Sequence, residues 1–491
     1  ELRAALLAAV QRCLTHCATF GGGPYQAIDS LITCPYFRLP DDLVDLPAKV
    51  FMGSKYLTHV LALPSALTTI GEQALSESAF RQLTLLAGVN KIGPNNAFNQ
   101  SPPCKVIFPA DLATVGPRAF MGCHYLFKVD LSGAAALTAI GEGAFVFCIS
   151  LRQLILPAAV TTIGRGAFKE CASLTHVTLP TALTTIGEWA FCHCASLALT
   201  SLPDGLTSIG SRAFAYCSSL VLTSLPEGLT NIGSGAFAFC SSLAPTNLPD
   251  GITSIGVFTF EGCASLALTS LPDGLTFIGQ SAFAHCPLLA LTNLPNGLTD
   301  IDKWGFAHCA CLALTSLPDG ITSIDECTFE GCASLALASL PGGLTSIGRS
   351  AFEECTSLAL TSLPDGLISI GNEAFFECTS LALTSLPDGL ISIGNAAFYE
   401  CPSLALTSLP DGLISIGNEA FYEYPSLALT LSRSIGESLP DGLISIGNEA
   451  FYGCQKVNRR ARAQEKQDVL KRCITCFSLC CGLLFYLLLV P

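Results

Sequence analysis

The sequence predicts a repeat solenoid of 23-residue coils, and three observations carry that reading. The phrase SLPDGLISIGNEAF, residues 362–375, returns letter for letter at 408–421 and 438–451, and at 385–398 with Ala396 in place of Glu. Aligned on its phenylalanine, the phrase gives a column at Phe145, Phe168, Phe191, Phe214, Phe237, Phe260, Phe283, Phe306, Phe329, Phe352, Phe375, Phe398 and Phe421, each 23 residues after the last. Half of the chain is hydrophobic and only 13% is charged. A single unit of this size cannot bury its own apolar face, whereas stacked neighbours bury one continuous core.

Upstream the period loosens: Leu75, Phe98 and Phe120 continue the column at steps of 23, 22 and 25, and Phe51 reads as a degenerate first rung. Downstream, Phe451 follows after 30 residues because LSRSIGE (431–437) is inserted, which makes about seventeen coils. Each coil reads roughly L-x-x-x-x-L-P-D-G-L-T-S-I-G-x-x-A-F-x-x-C-x-S. Its Leu, Ile, Ala, Phe and Cys columns are apolar enough to fill a shared interior. Pro-Asp-Gly predicts a chain reversal once per coil, with the glycine supplying positive φ. The glycine of Ile-Gly predicts a second left-handed bend, since only Asp302 and Asp325 replace it and Asp tolerates that conformation.

The I-G-x-x-A-F-x-x-C unit and the Leu-rich stretch before Pro resemble the BspA-like leucine-rich repeat family over roughly residues 57–454. The resemblance implies a right-handed leucine-rich-repeat superhelix with one short parallel strand per coil. It also implies an interaction or adhesion role at a cell surface and no catalytic residues. The expected organisation is an N-terminal flank or cap (1–48), the solenoid (49–454), a basic juxtamembrane linker (455–472) and a hydrophobic membrane segment (473–491). One departure from the family pattern stands out. SLRQLILP (150–157) and SLTHVTLP (173–180) keep the spacing L-x-x-L-x-L, but from Leu197 the coils read SLALTSLP, spaced L-x-L-x-x-L. Leucines at +2 and +5 cannot share one face of a strand of period two. The strand there is expected to be bulged, shortened or non-extended.

Several columns carry groups capable of chemistry. Fourteen of the 25 cysteines lie three residues after the Phe position, from Cys123 to Cys454. Their parallel Cβ vectors oppose disulfide formation, and their spacing is not that of a zinc site; they are expected to be buried free thiols. His285 and His308 occupy neighbouring rungs beside cysteines, and the Asp residues of Pro-Asp-Gly form a column from Asp204 to Asp441. Exposed variable positions and turn formers are the plain readings of these, and no metal or other cofactor is expected. Trp189 and Trp304, the two tryptophans of the chain, both stand two residues before the Phe, five periods apart. Each either covers a neighbouring coil or offers an exposed anchor to a partner.

The net charge of −14 argues against a nucleic-acid surface. The positions flanking Ala-Phe turn acidic in the C-terminal half, where Glu354, Glu377, Glu400 and Glu423 recur at one place in successive coils, accompanied by Glu353, Glu373 and Glu419. This ledge predicts a basic or cation-bridged partner, a protein or a glycan. No Ser/His/Asp or Cys/His constellation and no phosphate-cradling loop stands out of the repeat, so an enzyme is not expected. Residues 473–490 form an uncharged stretch of eighteen, about 27 Å as a helix, near the lower limit for crossing a bilayer. Seven Lys/Arg against Glu465 and Asp468 precede it, a flank suited to the cytosolic side, while the family resemblance implies the cell surface. Cys473, Cys476, Cys480 and Cys481 at that boundary are candidate lipidation sites. The chain opens on Glu1 and not Met, as a fragment or a processed form would, and ELRAALLAAVQRCL carries no secretory signal pattern. Taken together the residues describe a membrane-attached interaction or adhesion module with an extended repeat face. The alternative is a structural spacer that recognises no ligand.

Overall fold

The computed structural model describes residues 41–53, 61–78, 82–85, 88–93, 97–99, 101, 105–423, 440 and 442–454. It falls into two compact units, Glu1–Leu266 and Ala267–Pro491. Both are solenoids of stacked coils about 23 residues apart, joined by short parallel strands and without a helix among the described residues.

In the N-terminal unit the Ile column forms a nine-stranded ladder through Asp45–Leu46, Thr69–Ile70, Lys91–Ile92, Thr114–Val115, Ala139–Ile140, Thr162–Ile163, Thr185–Ile186, Ser208–Ile209 and Asn231–Ile232. Register advances by one coil per step, so Thr162 pairs Thr185 and Ile163 pairs Ile186. A second ladder of six runs Leu61–Ala62, Gln82–Thr84, Lys105–Ile107, Lys128–Asp130, Gln153–Ile155 and His176–Thr178. It stops where the leucine spacing changes. Val129 and Leu154 are fully buried at the centres of their strands, Val177 is only half-buried, and residues 198–203 form no strand. In the C-terminal unit one ladder links Ser323–Ile324, Ser346–Ile347, Ser369–Ile370, Ser392–Ile393, Ser415–Ile416 and Ser445–Ile446, and Phe277–Ile278 pairs Asp300–Ile301.

The Phe column is the core of each unit. Rings from Phe98 to Phe260 stack in the first unit with centroids 4.7–5.7 Å apart. Rings from Phe283 to Phe451 stack in the second at 5.3–5.8 Å. Phe51 is buried, and its N–H donates to Ala74 O at 2.8 Å. The cysteines are free and buried, Cys311 alone excepted among the described ones. Their thiols are more than packing. Each ladder thiol from Cys123 to Cys263 reaches the carbonyl of the preceding Phe rung, Cys171 Sγ donating to Phe145 O at 3.2 Å for example.

Both glycine expectations need correction. The Pro-Asp-Gly turn closes as expected, with Leu206 N donating to Pro203 O at 3.0 Å, but Gly205 and the other Pro-Asp-Gly glycines do not have positive φ; in their column Gly88, which follows Leu86-Ala87, does (φ 109°). The Ile-Gly glycines do not have positive φ, nor do Asp302 and Asp325 in the same column. What the Ile-Gly position requires is space. A Cβ on Gly371 would lie 2.5 Å from Gly348 C and 2.6 Å from Arg349 N, and on Gly164 it would lie 2.7 Å from Ile140 O. Coils touch backbone to backbone there.

Candidate interaction face

The left-handed residues lie elsewhere, at two positions per coil: two before the Phe and two after it. In one coil these are Trp189 (φ 59°) and His193 (φ 59°), in another Glu373 (φ 58°) and Glu377 (φ 54°). The hydrogen bonds explain why. Trp189, Phe191 and His193 donate their N–H groups to Ser211, Ala213 and Ala215 of the next coil at 2.9, 2.7 and 2.8 Å. The intervening Ala190 and Cys192 donate within their own coil, to Gly187 at 3.2 Å and Trp189 at 3.1 Å. Alternating the N–H groups in this way turns the chain tightly over the Phe core. Ordinary residues avoid positive φ, and the inter-coil bonds hold them in it here.

The residues expected at the partner face occupy these two columns, Glu353 excepted, which directly follows Phe352. Trp189 and Trp304 (φ 54°) stand before the Phe; Glu354 (φ 57°), Glu377, Glu400 (φ 51°) and Glu423 (φ 53°) stand after it. The four glutamates fall on successive rungs of the C-terminal unit, their N–H groups donating to Phe376, Tyr399, Tyr422 and Tyr452 O at 2.8, 2.9, 3.3 and 2.9 Å. Glu354, Glu400 and Glu423 are exposed and Glu377 half-exposed.

Those acceptors reveal a column that sequence reasoning passed over. Phe376, Tyr399, Tyr422 and Tyr452 stack at 4.8, 4.7 and 4.8 Å, directly after the core Phe of their coils. Glu373, Glu419 and Glu449 lie on its other side in sequence, and Arg349 pairs with Glu373 at 3.1 Å. Desolvation pushes the hydroxyls of Tyr399 and Tyr422 above the usual tyrosine value, helped at Tyr399 by neighbouring glutamates and at Tyr422 by Tyr399 and Tyr452 and then by glutamates. Burial likewise raises Glu353. The signal was present in the letters AFFE, AFYE, AFYE and AFYG, one place after a column already marked. Ring faces are consumed by the stacking, so the ledge offers ring edges, hydroxyls and carboxylates.

Trp189 is half-buried over Cys192, Ala215 and Ala238. Lys169 Nζ from the preceding coil and Arg212 from the following one lie 4.8 and 4.9 Å from its ring centroid, and its Nε1 donates to Glu188 Oε1 at 2.6 Å. That geometry is of a ring covering its neighbours. Trp304 is also half-buried. His285 and His308 stack at 4.7 Å, with His308 Nε2 3.4 Å from Glu330. Burial and the neighbouring imidazole lower the pKa of His285. Their thiol neighbours Cys286 and Cys309 are fully buried, away from the exposed imidazoles. Among the described residues no group of three His, Cys, Asp or Glu is placed to hold a metal ion. Among them too, no helix is long and apolar enough to cross a membrane. The stretch 473–490, with Cys473, Cys476, Cys480 and Cys481, and the basic segment before it lie outside the described residues.

Stacked parallel coils around an aromatic core define a leucine-rich repeat solenoid. The chain belongs to the BspA type leucine rich repeat family, whose model matches in overlapping segments from 30–135 to 434–480. A leucine-rich repeat protein from Bacteroides ovatus is similar in structure, with a TM-score of 0.52 and 30% identity, over 66% of this chain and 81% of its own. A leucine rich cell surface protein from Faecalibacterium prausnitzii shares 26% identity over 62% of this chain and 87% of its own, with a TM-score of 0.41. No curated protein matches the sequence. Leucine-rich repeat proteins are typically binding scaffolds without enzymatic function.

Proposed function

We propose that the protein is a cell-surface interaction module whose C-terminal unit binds a basic protein segment along the acidic ledge. The carrying observation is the column of Glu354, Glu377, Glu400 and Glu423 beside the stacked Phe376, Tyr399, Tyr422 and Tyr452. Repeating carboxylates one coil apart suit an extended chain bearing several Lys or Arg, each contact modest and the sum considerable. Because the ring faces are stacked on one another, the ledge favours a charged peptide over a sugar, which would need a free face. Trp304 belongs to the same unit and is a candidate edge contact.

The test is binding of a fluorescent Lys/Arg-rich peptide to the wild-type protein and to a Glu354→Gln/Glu377→Gln/Glu400→Gln/Glu423→Gln variant. Affinity should fall steeply with added salt in the wild type and weaken in the variant, since the attraction is a screened surface interaction. Salt-independent binding, or equal binding by both proteins, would refute the assignment.

Attachment to a membrane through residues 473–490 belongs to the same proposal. It rests on the absence of charge in that stretch and on the basic residues before it. Fractionation of the full chain against a form ending at Cys454 tests it. Full-length protein that is monodisperse without detergent would exclude attachment.

A further inference from the structure

A second site lies in the N-terminal unit, at the place where the six-stranded ladder ends. A cavity of about 640 Å³ opens there, lined by Phe127, Arg152, Gln153, Ser173, Thr175, His176 and Ser196. The change of leucine spacing follows directly in the chain. Between Ser196, which donates to Ala172 O at 3.3 Å, and Thr207, which donates to Thr184 O at 3.0 Å, no backbone hydrogen bond ties the coil of Leu197 to the coil before it. Along this arc Val177, Leu179 and Leu199 are only half-buried.

The strand His176–Thr178 has a partner on one side only. His176 N–H donates to Arg152 O at 3.0 Å and Thr178 O accepts from Leu156 N at 3.4 Å, so both face the preceding coil. Alternate residues of a parallel strand point their backbone groups to opposite sides, so those of Val177 between them point away from the paired strand. The wall of the cavity carries one cationic side chain, Arg152. The Arg152 side chain is exposed and has no ion pair among the described residues, unlike Arg118, Arg165 and Arg349. One column places Phe127, Arg152 and Thr175 on successive coils, and the adjacent one places Lys128, Gln153 and His176. Lys128 is engaged by Asp130 at 3.2 Å, and Thr175 Oγ1 lies 2.8 Å from His176 Nδ1.

We propose that this cavity is a docking site for an acidic segment of a protein partner, whose carboxylate pairs with the Arg152 guanidinium while the segment lies along Val177. A guanidinium presents a planar fork of donors that matches a carboxylate, and an unpaired strand edge offers backbone groups to an extended chain. Phe127 supplies an apolar wall for the stem of the incoming side chain.

Fluorescence anisotropy with a labelled eight-residue peptide of alternating Glu and Val tests the site on the full chain. Arg152→Ala should weaken binding about ten- to hundredfold, the worth of a hydrogen bond to a charged group, and Arg152→Lys should restore part of it. Arg165→Ala removes the same charge from the same unit at a different column and should leave binding unchanged. Circular dichroism checks that each variant stays folded. Equal losses in Arg152→Ala and Arg165→Ala, undiminished binding by Arg152→Ala, or equal affinity for the Gln-for-Glu peptide would overturn the proposal. So would sedimentation showing that the protein alone self-associates and that Arg152→Ala abolishes this, since the carboxylate would then come from a second copy.

Discussion

Cys401 Sγ lies 3.0 Å from Phe375 O, one coil back, and the same thiol-to-carbonyl bond joins Cys378 to Phe352 at 2.9 Å and Cys355 to Phe329 at 3.1 Å. Within each unit the cysteine column therefore ties successive rungs together from inside the core, as at Cys309 and Cys332.

Burial keeps these thiols protonated: it pushes Cys240, Cys332 and Cys401 up to about 12, and raises Cys217 and Cys355 well above the usual range. The reactive species is the thiolate. Among the cysteines from 123 to 454, a maleimide at neutral pH should label Cys311 rapidly and the ladder only after denaturation. Peptide mapping by mass spectrometry reads this directly; rapid native labelling of Cys217 would contradict the buried column.

The same burial sets an alkaline limit. Below about pH 8.5 the thiols are neutral in both the folded and unfolded chain, and this contribution to stability is fully present. Above it the unfolded chain ionises while the folded one does not, so stability falls as pH rises towards 12. Urea midpoints measured between pH 7 and pH 10 should decline, and less so in a Cys240→Ala/Cys332→Ala variant compared with its own neutral midpoint.

The core and the contact glycines should respond differently to substitution. Phe283→Ala opens a cavity in a ring stack and is expected to cost about 3–5 kcal/mol. Gly371→Ala adds a single methyl that meets the backbone of the preceding coil at 2.5 Å, and overpacking against backbone should cost about 3 kcal/mol or more. Gly389→Ala, whose Cβ would lie 3.3 Å from Asp365 O, should be much milder. Equal midpoints for the two alanine variants would remove the close-approach explanation.

His285 gives an acid limit of opposite sign. Its folded pKa is lowered by burial and by His308. Above about pH 6.5 it is neutral in both states and stability is complete. As pH falls below that value, the unfolded chain takes up a proton that the folded chain resists, and stability drops. His285→Asn should flatten the dependence between pH 7 and pH 5, as followed by thermal melts.

The left-handed column after the Phe makes a further distinction. Gly331 (φ 68°) lies under His308, whose Nδ1 would meet an added Cβ at 2.6 Å. Gly331→Ala should therefore destabilise through both conformation and contact. Glu377→Gly relieves a positive φ and should leave stability unchanged or raise it by about 1 kcal/mol. Denaturant titration of the pair decides the point.

The sequence by itself determined the stack: a strict period, carried by columns of Phe, Cys, Ile and Leu, dictates which residues are buried and that each coil needs its neighbours. It also marked, at Leu197, where the second strand would be bulged, shortened or non-extended, because a period-two strand cannot place leucines at +2 and +5 on one face. Other properties came only with the tertiary structure. The Ile-Gly glycine looked like a bend and is a point of contact, because the distance between two backbones 23 residues apart is set by the stacking and by nothing in the local letters. The left-handed residues around Ala-Phe bear ordinary side chains such as Trp189 and Glu377, so composition hides them, and inter-coil hydrogen bonds impose the conformation. The tyrosine column beside Glu377 and the cavity at Arg152 follow the same rule. Each gathers side chains from several coils, and their spacing depends on how one coil settles upon the next.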